Sequence, residues 1–206
     1  RAAFGLDSPS SAERHKVQVE LESILSQMPN SPFVRLHLGR AYLLNGDLLR
    51  AGTLLRSTIA LDPNYAPGWL ALAEMELRSG NSEQAQDRLG LLLRRAPGYI
   101  PARLLQAQAN LAQNKLGEAE HDLTGLLIAD PGNSDAMLML ARTKIRLEQK
   151  DAAARLLDRC EELRPADPQP LLLHARLDVE NGQTREALSR LQAAQRRFAD
   201  MPEVVS

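Results

Sequence analysis

Four histidines, His15, His37, His121 and His174, and a single cysteine, Cys160, carry the widest chemical repertoire in this chain. Hydrolytic zinc sites place two histidines one turn apart, as in H-E-x-x-H, so that both imidazoles reach one ion. No histidine here has another at that spacing, and each reads as a surface or packing residue. His174 and Asp178 stand four apart and can pair, the ordinary contact between neighbours on a helix face. A lone cysteine excludes an internal disulfide and any cysteine-based zinc cluster. Neither G-x-x-x-x-G-K-S/T nor G-x-G-x-x-G occurs, so the backbone offers no cradle for a phosphate. The expectation is a chain with no catalytic residues, no metal and no cofactor, any activity residing in parts of a protein beyond this stretch.

Composition points to helices as the scaffold. Aromatic residues make up 3% of the chain, too few for a β-sandwich or barrel, while hydrophobic residues at 44% exclude disorder. Ala, Leu, Arg, Glu and Gln dominate, and these are strong helix formers. The 25 basic residues nearly balance the 26 acidic ones without a basic tract, which argues against nucleic-acid binding through phosphate neutralisation. Apolar runs such as Leu123 to Ala129 fall far short of the roughly 20 residues of a spanning helix, so no membrane insertion is expected.

One spacing organises nearly the whole chain. Alanine recurs at Ala51, Ala85, Ala119, Ala153 and Ala187, each 34 residues after the last. Leucine follows four residues later, on the same helical face, at Leu55, Leu89, Leu123, Leu157 and Leu191. Proline keeps step at Pro29, Pro63, Pro97, Pro131 and Pro165. The alanine marks a close helix approach where a larger residue would overpack by about 1–3 kcal/mol. The leucine fills the adjoining space, worth about 1.5–3 kcal/mol when buried. The proline, lacking an N–H and restricting its predecessor, ends one helix and sets the start of the next. A further stripe, Leu36, Leu70, Leu104, Leu138 and Leu172, each followed seven residues on by Leu43, Leu77, Leu111, Ile145 and Val179, marks the first helix of every unit. Between the two helices lie Asn45-Gly46, Ser79-Gly80-Asn81, Gln113-Asn114, Glu148-Gln149 and Asn181-Gly182. Most contain the Gly or Asn that a left-handed helix end favours.

These columns resemble the tetratricopeptide repeat family. The first full unit shows Leu38, Gly39, Tyr42, Gly46, Ala51, Leu55 and Pro63 at the family's favoured places, and the second Trp69, Leu72, Ala73, Gly80, Ala85, Leu89 and Pro97. Later units depart, with Gln106 and His174 at a leucine place and Glu76, Asn110, Lys144 and Asp178 at a tyrosine place, as in a looser variant. The resemblance implies an all-α fold, a right-handed α-solenoid of antiparallel helix pairs. Full units are expected at 32–65, 66–99, 100–133, 134–167 and 168–201. A partial or degenerate repeat precedes them at 1–31, with a helix over about 11–28 opened by a capping box from Ser10 to Glu13, and residues 202–206 begin another. A frame that runs off both ends predicts an interior stretch of a larger solenoid. Cys160 falls where the family favours a small buried residue, which implies a structural thiol.

Ligands of this family lie along the concave side lined by first helices. By that resemblance the partner-binding groove comprises Phe33, Leu36, Arg40, Leu43, Leu44, Leu70, Glu74, Leu77, Arg78, Leu104 and Gln108, continuing with Leu111, Leu138, Arg142, Ile145, Arg146, Leu172, Arg176 and Val179. Leucines would take apolar side chains of a protein or peptide, and Arg40, Arg142, Arg146 and Arg176 its acidic or carboxylate groups. The opposing reading packs the leucines between helices and leaves the arginines solvated. The lysine and asparagine clamp of chaperone-tail binders is missing, since leucine stands at the lysine-like places. The expected function is therefore a non-enzymatic interaction scaffold. Two alternatives accompany it: a periplasmic arm of a bacterial envelope-assembly protein, by similarity to exopolysaccharide secretion proteins, and a regulatory segment of an enzyme.

Overall fold

A computed structural model describes residues 11–198. The first ten residues of the partial or degenerate repeat expected at 1–31, with the Ser10 cap, and the further repeat expected at 202–206 lie outside the described residues. Within them are eleven α-helices and no strand: α1 (Ser11–Gln27), α2 (Pro32–Leu44), α3 (Leu48–Leu61), α4 (Ala66–Arg78), α5 (Ser82–Arg95), α6 (Ile100–Ala112), α7 (Leu116–Ala129), α8 (Ser134–Arg146), α9 (Lys150–Leu163), α10 (Pro168–Glu180) and α11 (Thr184–Arg197). The fold class is an all-α solenoid of antiparallel helix pairs. Two compact units divide the chain inside α6, one ending at Ala109 and the other starting at Asn110.

Both helix ends follow from local chemistry. Ser31, Asp47, Asn133 and Asp167 each accept a hydrogen bond from a first-turn backbone N–H, satisfying donors that have no partner within the helix. At the close of every first helix the chain turns through a residue of positive φ, at Gly46, Gly80, Asn114, Glu148 and Gly182. These five positions share the repeat period. Each turn is completed by a backbone bond five residues back: Asp47 to Tyr42, Asn81 to Glu76, Lys115 to Asn110, Gln149 to Lys144 and Gln183 to Asp178, all 2.8–2.9 Å.

The alanine column is buried throughout, and Leu55, Leu89, Leu123 and Leu157 are buried beside it. Leu191, the fifth member of the leucine column, is exposed on α11, which has no described helix after it to pack on that face. Ala73, Ala107, Ala141 and Ala175 repeat the place of Gly39, where a Cβ would come within 2.8 Å of Leu55. Small side chains there set the distance between paired helices.

The departures at the tyrosine place are a structural feature of their own. Glu76, Asn110 and Asp178 are 2, 3 and 4% exposed, and each meets the residue twelve positions on, across the turn on the paired helix. Glu76 is bonded to Arg88, Asn110 Nδ2 donates to Asp122 Oδ2 at 2.9 Å, and Arg190 Nε donates to Asp178 Oδ2 at 2.8 Å. Tyr42 and Lys144 reach the other way, donating to Glu22 on α1 and Glu120 on α7. The units after the first thus replace an aromatic contact with a polar tie, and their departure from the family pattern is a change of chemistry at this place. His174 and Asp178 do not pair, because Asp178 is held by Arg190 and His174 faces α9.

Candidate functional site

The expected groove residues behave differently in the two units. In the first unit Leu36, Leu43 and Leu70 are buried in the core and hold the helices together. Leu77 and Leu104 are partly buried, Leu77 packing against the same core as Leu70. Phe33, Leu44, Arg78 and Gln108 remain exposed, Phe33 with its ring centroid 4.3 Å from that of His37. Arg40 Nη2 lies 3.9 Å from Glu74 Oε2, so this cation already has an anion beside it. Burial lowers the pKa of His37 and favours the neutral ring.

The second unit gathers three of its arginines around a cavity of about 400 Å³ between α8 and α10. Arg142, Ile145 and Arg146 line it from α8, and Leu173, Arg176, Leu177 and Glu180 from α10. Arg142 and Arg146 are four residues apart, so 3.6 residues per turn brings both to one face. Each guanidinium is oriented by a neighbour. Arg142 Nη2 donates to Gln169 Oε1 at 3.1 Å, Arg146 to the Leu111 carbonyl and Asn114 Oδ1 at 3.2 and 2.8 Å, and Arg176 Nε to Glu180 Oε1 at 3.0 Å. A guanidinium carries five N–H donors, and these contacts leave each arginine with donors to spare. Three cations against one carboxylate, over a wall of Ile145, Leu173 and Leu177, suit an acidic group attached to apolar side chains.

Arg142, Ile145, Arg146 and Arg176 belong to the groove expected from sequence, while Leu138, Leu172 and Val179 do not line the cavity. Leu173, Leu177 and Glu180 do, and sequence reasoning missed them. Glu180 was within reach, since it stands in the column of Leu44, Arg78 and Arg146. Leu173 had no comparable signal, lying one residue off the expected stripe.

No thiol chemistry is available here. Cys160 is buried, its Sγ 3.7 Å from the Ser134 carbonyl, and burial pushes its pKa up to about 11. On the order of one thiol in 10⁴ is ionised near neutrality, too few for a nucleophile. A smaller cavity in the first unit, about 220 Å³, lies beside Trp69 and Arg95, which both donate to the Pro63 carbonyl and stack with Arg95 Cζ 5.7 Å from the ring centroid. Trp69 spends its one N–H on the inter-repeat loop, and Arg95 is held over its ring with one donor on the same carbonyl. None of the described helices is long and apolar enough to cross a membrane.

Comparison with known proteins agrees with the geometry. The sequence pattern described as the tetratricopeptide repeat matches residues 42–109 and 110–177, about two thirds of the chain. The chain belongs to the tetratricopeptide repeat family. None of the curated proteins matches it in sequence. Among solved structures, PilW, a type IV pilus biogenesis factor, is similar over 94% of this chain and 90% of its own, with a TM-score of 0.81 at 19% identity. A thermophilic tetratricopeptide protein of Thermus thermophilus covers 84% of this chain and 95% of its own, with a TM-score of 0.72 at 20% identity. YrrB, a tetratricopeptide protein with an unusual peptide-binding site, covers 90% and 95%, with a TM-score of 0.61 at 12% identity. At these identities the likeness is one of fold. Tetratricopeptide proteins bind peptides or proteins and are typically non-enzymatic scaffolds, and this fold is consistent with protein–protein interaction.

Proposed function

We propose that this tetratricopeptide chain is a protein-interaction scaffold that holds an acidic or carboxylate-bearing segment of a partner protein against α8 and α10. The supporting observation is the convergence of Arg142, Arg146 and Arg176, each oriented and each with spare donors, on a cavity with an apolar wall. Charge-assisted hydrogen bonds to such groups contribute about 1.5–3 kcal/mol each. Reversing two of the charges, Arg142→Glu with Arg146→Glu, is expected to weaken partner binding by at least about tenfold and leave helicity and melting temperature nearly unchanged, because both side chains are exposed. The measurement is quantitative affinity capture with the full-length protein from its native host, unaltered against doubly substituted, followed by titration of whichever partner is depleted. Equal capture by both forms defeats the proposal.

The second reading places the scaffold in the cell envelope, as the arm of an assembly or export machine. Its support is the fold shared with a pilus biogenesis factor over 94% of this chain. Fractionation of the native host separates the readings, with recovery in the periplasm expected for the envelope arm and recovery in the cytoplasm excluding it.

A further inference from the structure

One cluster of side chains in the second unit plays no part in the arginine-lined cavity. Asp158 and Glu161 stand three residues apart on α9, and His174 faces them from α10. His174 is 3% exposed, with Nδ1 3.3 Å from Glu161 Oε1 and 3.5 Å from Asp158 Oδ1, and the three potential ligand atoms all lie within 4.8 Å of one another. We propose that these three residues form a binding site for one divalent transition-metal ion, with Zn²⁺ as the ion of that class the donor set fits.

Geometry is the first argument. Ligand bonds to zinc of about 2.0–2.2 Å set the edges of its coordination tetrahedron at about 3.3–3.6 Å. Both nitrogen-to-oxygen separations already have that length. The remaining edge closes by rotation of Asp158, whose side chain is 59% exposed and free to turn. That exposure also leaves a coordination position open to water. A hydrogen bond from His174 to Glu161 would satisfy the imidazole without Asp158, so a simple polar contact does not require all three.

The second argument is charge. Two carboxylates and a neutral imidazole, protonated on Nε2 with the Nδ1 lone pair directed inward, carry two negative charges that one divalent ion balances. A competing cation is Arg190, whose Nη1 is 3.8 Å from Glu161 Oε1, but its Nε is engaged with Asp178 at 2.8 Å. The shorter bond of the arginine is to Asp178, and Glu161 keeps only the longer contact with it. One nitrogen with two oxygens favours a transition ion over Mg²⁺ or Ca²⁺, which prefer oxygen throughout.

The third argument comes from the repeat. The place of Glu161 is taken by Ile59, Leu93 and Leu127 in the preceding units, and that of His174 by Leu38, Leu72, Gln106 and Leu140. The Glu161 column is apolar in all the preceding units and the His174 column in three of the four, and the two turn to ligand-forming residues on consecutive helices, where those residues meet in space.

The test is calorimetric titration of chelator-stripped, desalted protein with ZnCl₂, with MgCl₂ in parallel, and melting curves with and without each ion. One zinc ion per chain is expected, raising the melting temperature where magnesium does not. His174→Leu restores the residue of the first, second and fourth units and is expected to stay helical while binding zinc at least about tenfold more weakly. Should that variant lose its helical circular dichroism, Glu161→Gln, which keeps the side-chain size, carries the same expectation. Absence of a one-to-one site in the unaltered protein, or equal zinc affinity in a folded variant, overturns the proposal.

Discussion

Glu148 is the residue most at odds with its backbone. Its φ of 59° lies in the left-handed region, where a Cβ crowds the carbonyl at about 1–2 kcal/mol, and the equivalent places hold Gly46, Gly80 and Gly182. Its one ion pair among the described residues, to Lys150 at 3.9 Å, is mostly solvated and contributes little. Glu148→Gly is therefore expected to stabilise the protein by about 1 kcal/mol, read as a higher urea midpoint at unchanged slope. No gain, or a loss, would show that the Glu148 turn is relieved in some way the backbone angle conceals. The sequence marks this position only through its period, because nothing in the composition of Glu-Gln announces a turn. Asn-Gly at 45–46 and 181–182 announces one plainly.

The helix pairs show why part of the architecture was legible and part was not. Alanine and leucine columns report packing directly, since a buried surface tolerates few side chains. The polar ties do not show in the sequence columns, because each column displays one partner and hides the other, twelve residues away on the paired helix. In retrospect Glu76 with Arg88 and Asp178 with Arg190 are complementary at a fixed offset, a pattern that needs the helix pair before it has meaning. The tie has an energetic signature. Arg88→Ala leaves the Glu76 carboxylate buried without its cation and is expected to cost about 3 kcal/mol in chemical denaturation, whereas Glu76→Leu with Arg88→Leu recovers most of that loss. Equal costs for the single and double variants would contradict the buried-tie account. The α1–α2 contact rests on a titratable tie of its own. Tyr42 Oη donates to Glu22 Oε1 at 2.7 Å, and this bond, followed by one from Gln18, holds the Glu22 carboxyl below the usual range. Burial, with the Glu22 bond, raises the Tyr42 hydroxyl above its ordinary value. The carboxyl contribution is thus present above the unfolded pKa of about 4.3 and lost as pH falls through the lower folded value. The tyrosine contribution is present below about 10 and lost as pH rises through the higher folded value. Tyr42→Phe is expected to reduce stability at neutral pH and to weaken its dependence on pH at both extremes, which melting curves from acid to alkaline pH would show. A dependence as steep as that of the unaltered protein would mean that other groups govern it.

Across the molecule, apolar clusters form between helices adjacent in sequence, so the effect of a core change is expected to stay local. Leu157 is fully buried in a cluster with Ala141, Ala153 and Leu177, against which Ile145 and Leu173 pack. The last three of these side chains, Leu177, Ile145 and Leu173, also form the apolar wall of the arginine-lined cavity. Leu55 occupies the same repeat place in the first unit and is equally buried, with none of those neighbours. Leu157→Ala and Leu55→Ala should therefore cost similar amounts, about 2–5 kcal/mol each, while differing in where the loss falls. Hydrogen exchange is expected to quicken in α8, α9 and α10 for Leu157→Ala and in α2, α3 and α4 for Leu55→Ala. If the cavity is where a partner binds, the first variant also weakens capture and the second does not, although both are comparably destabilised. The comparison holds total stability roughly constant and varies only location, so a shared loss of binding in both variants would place the contact elsewhere on the chain.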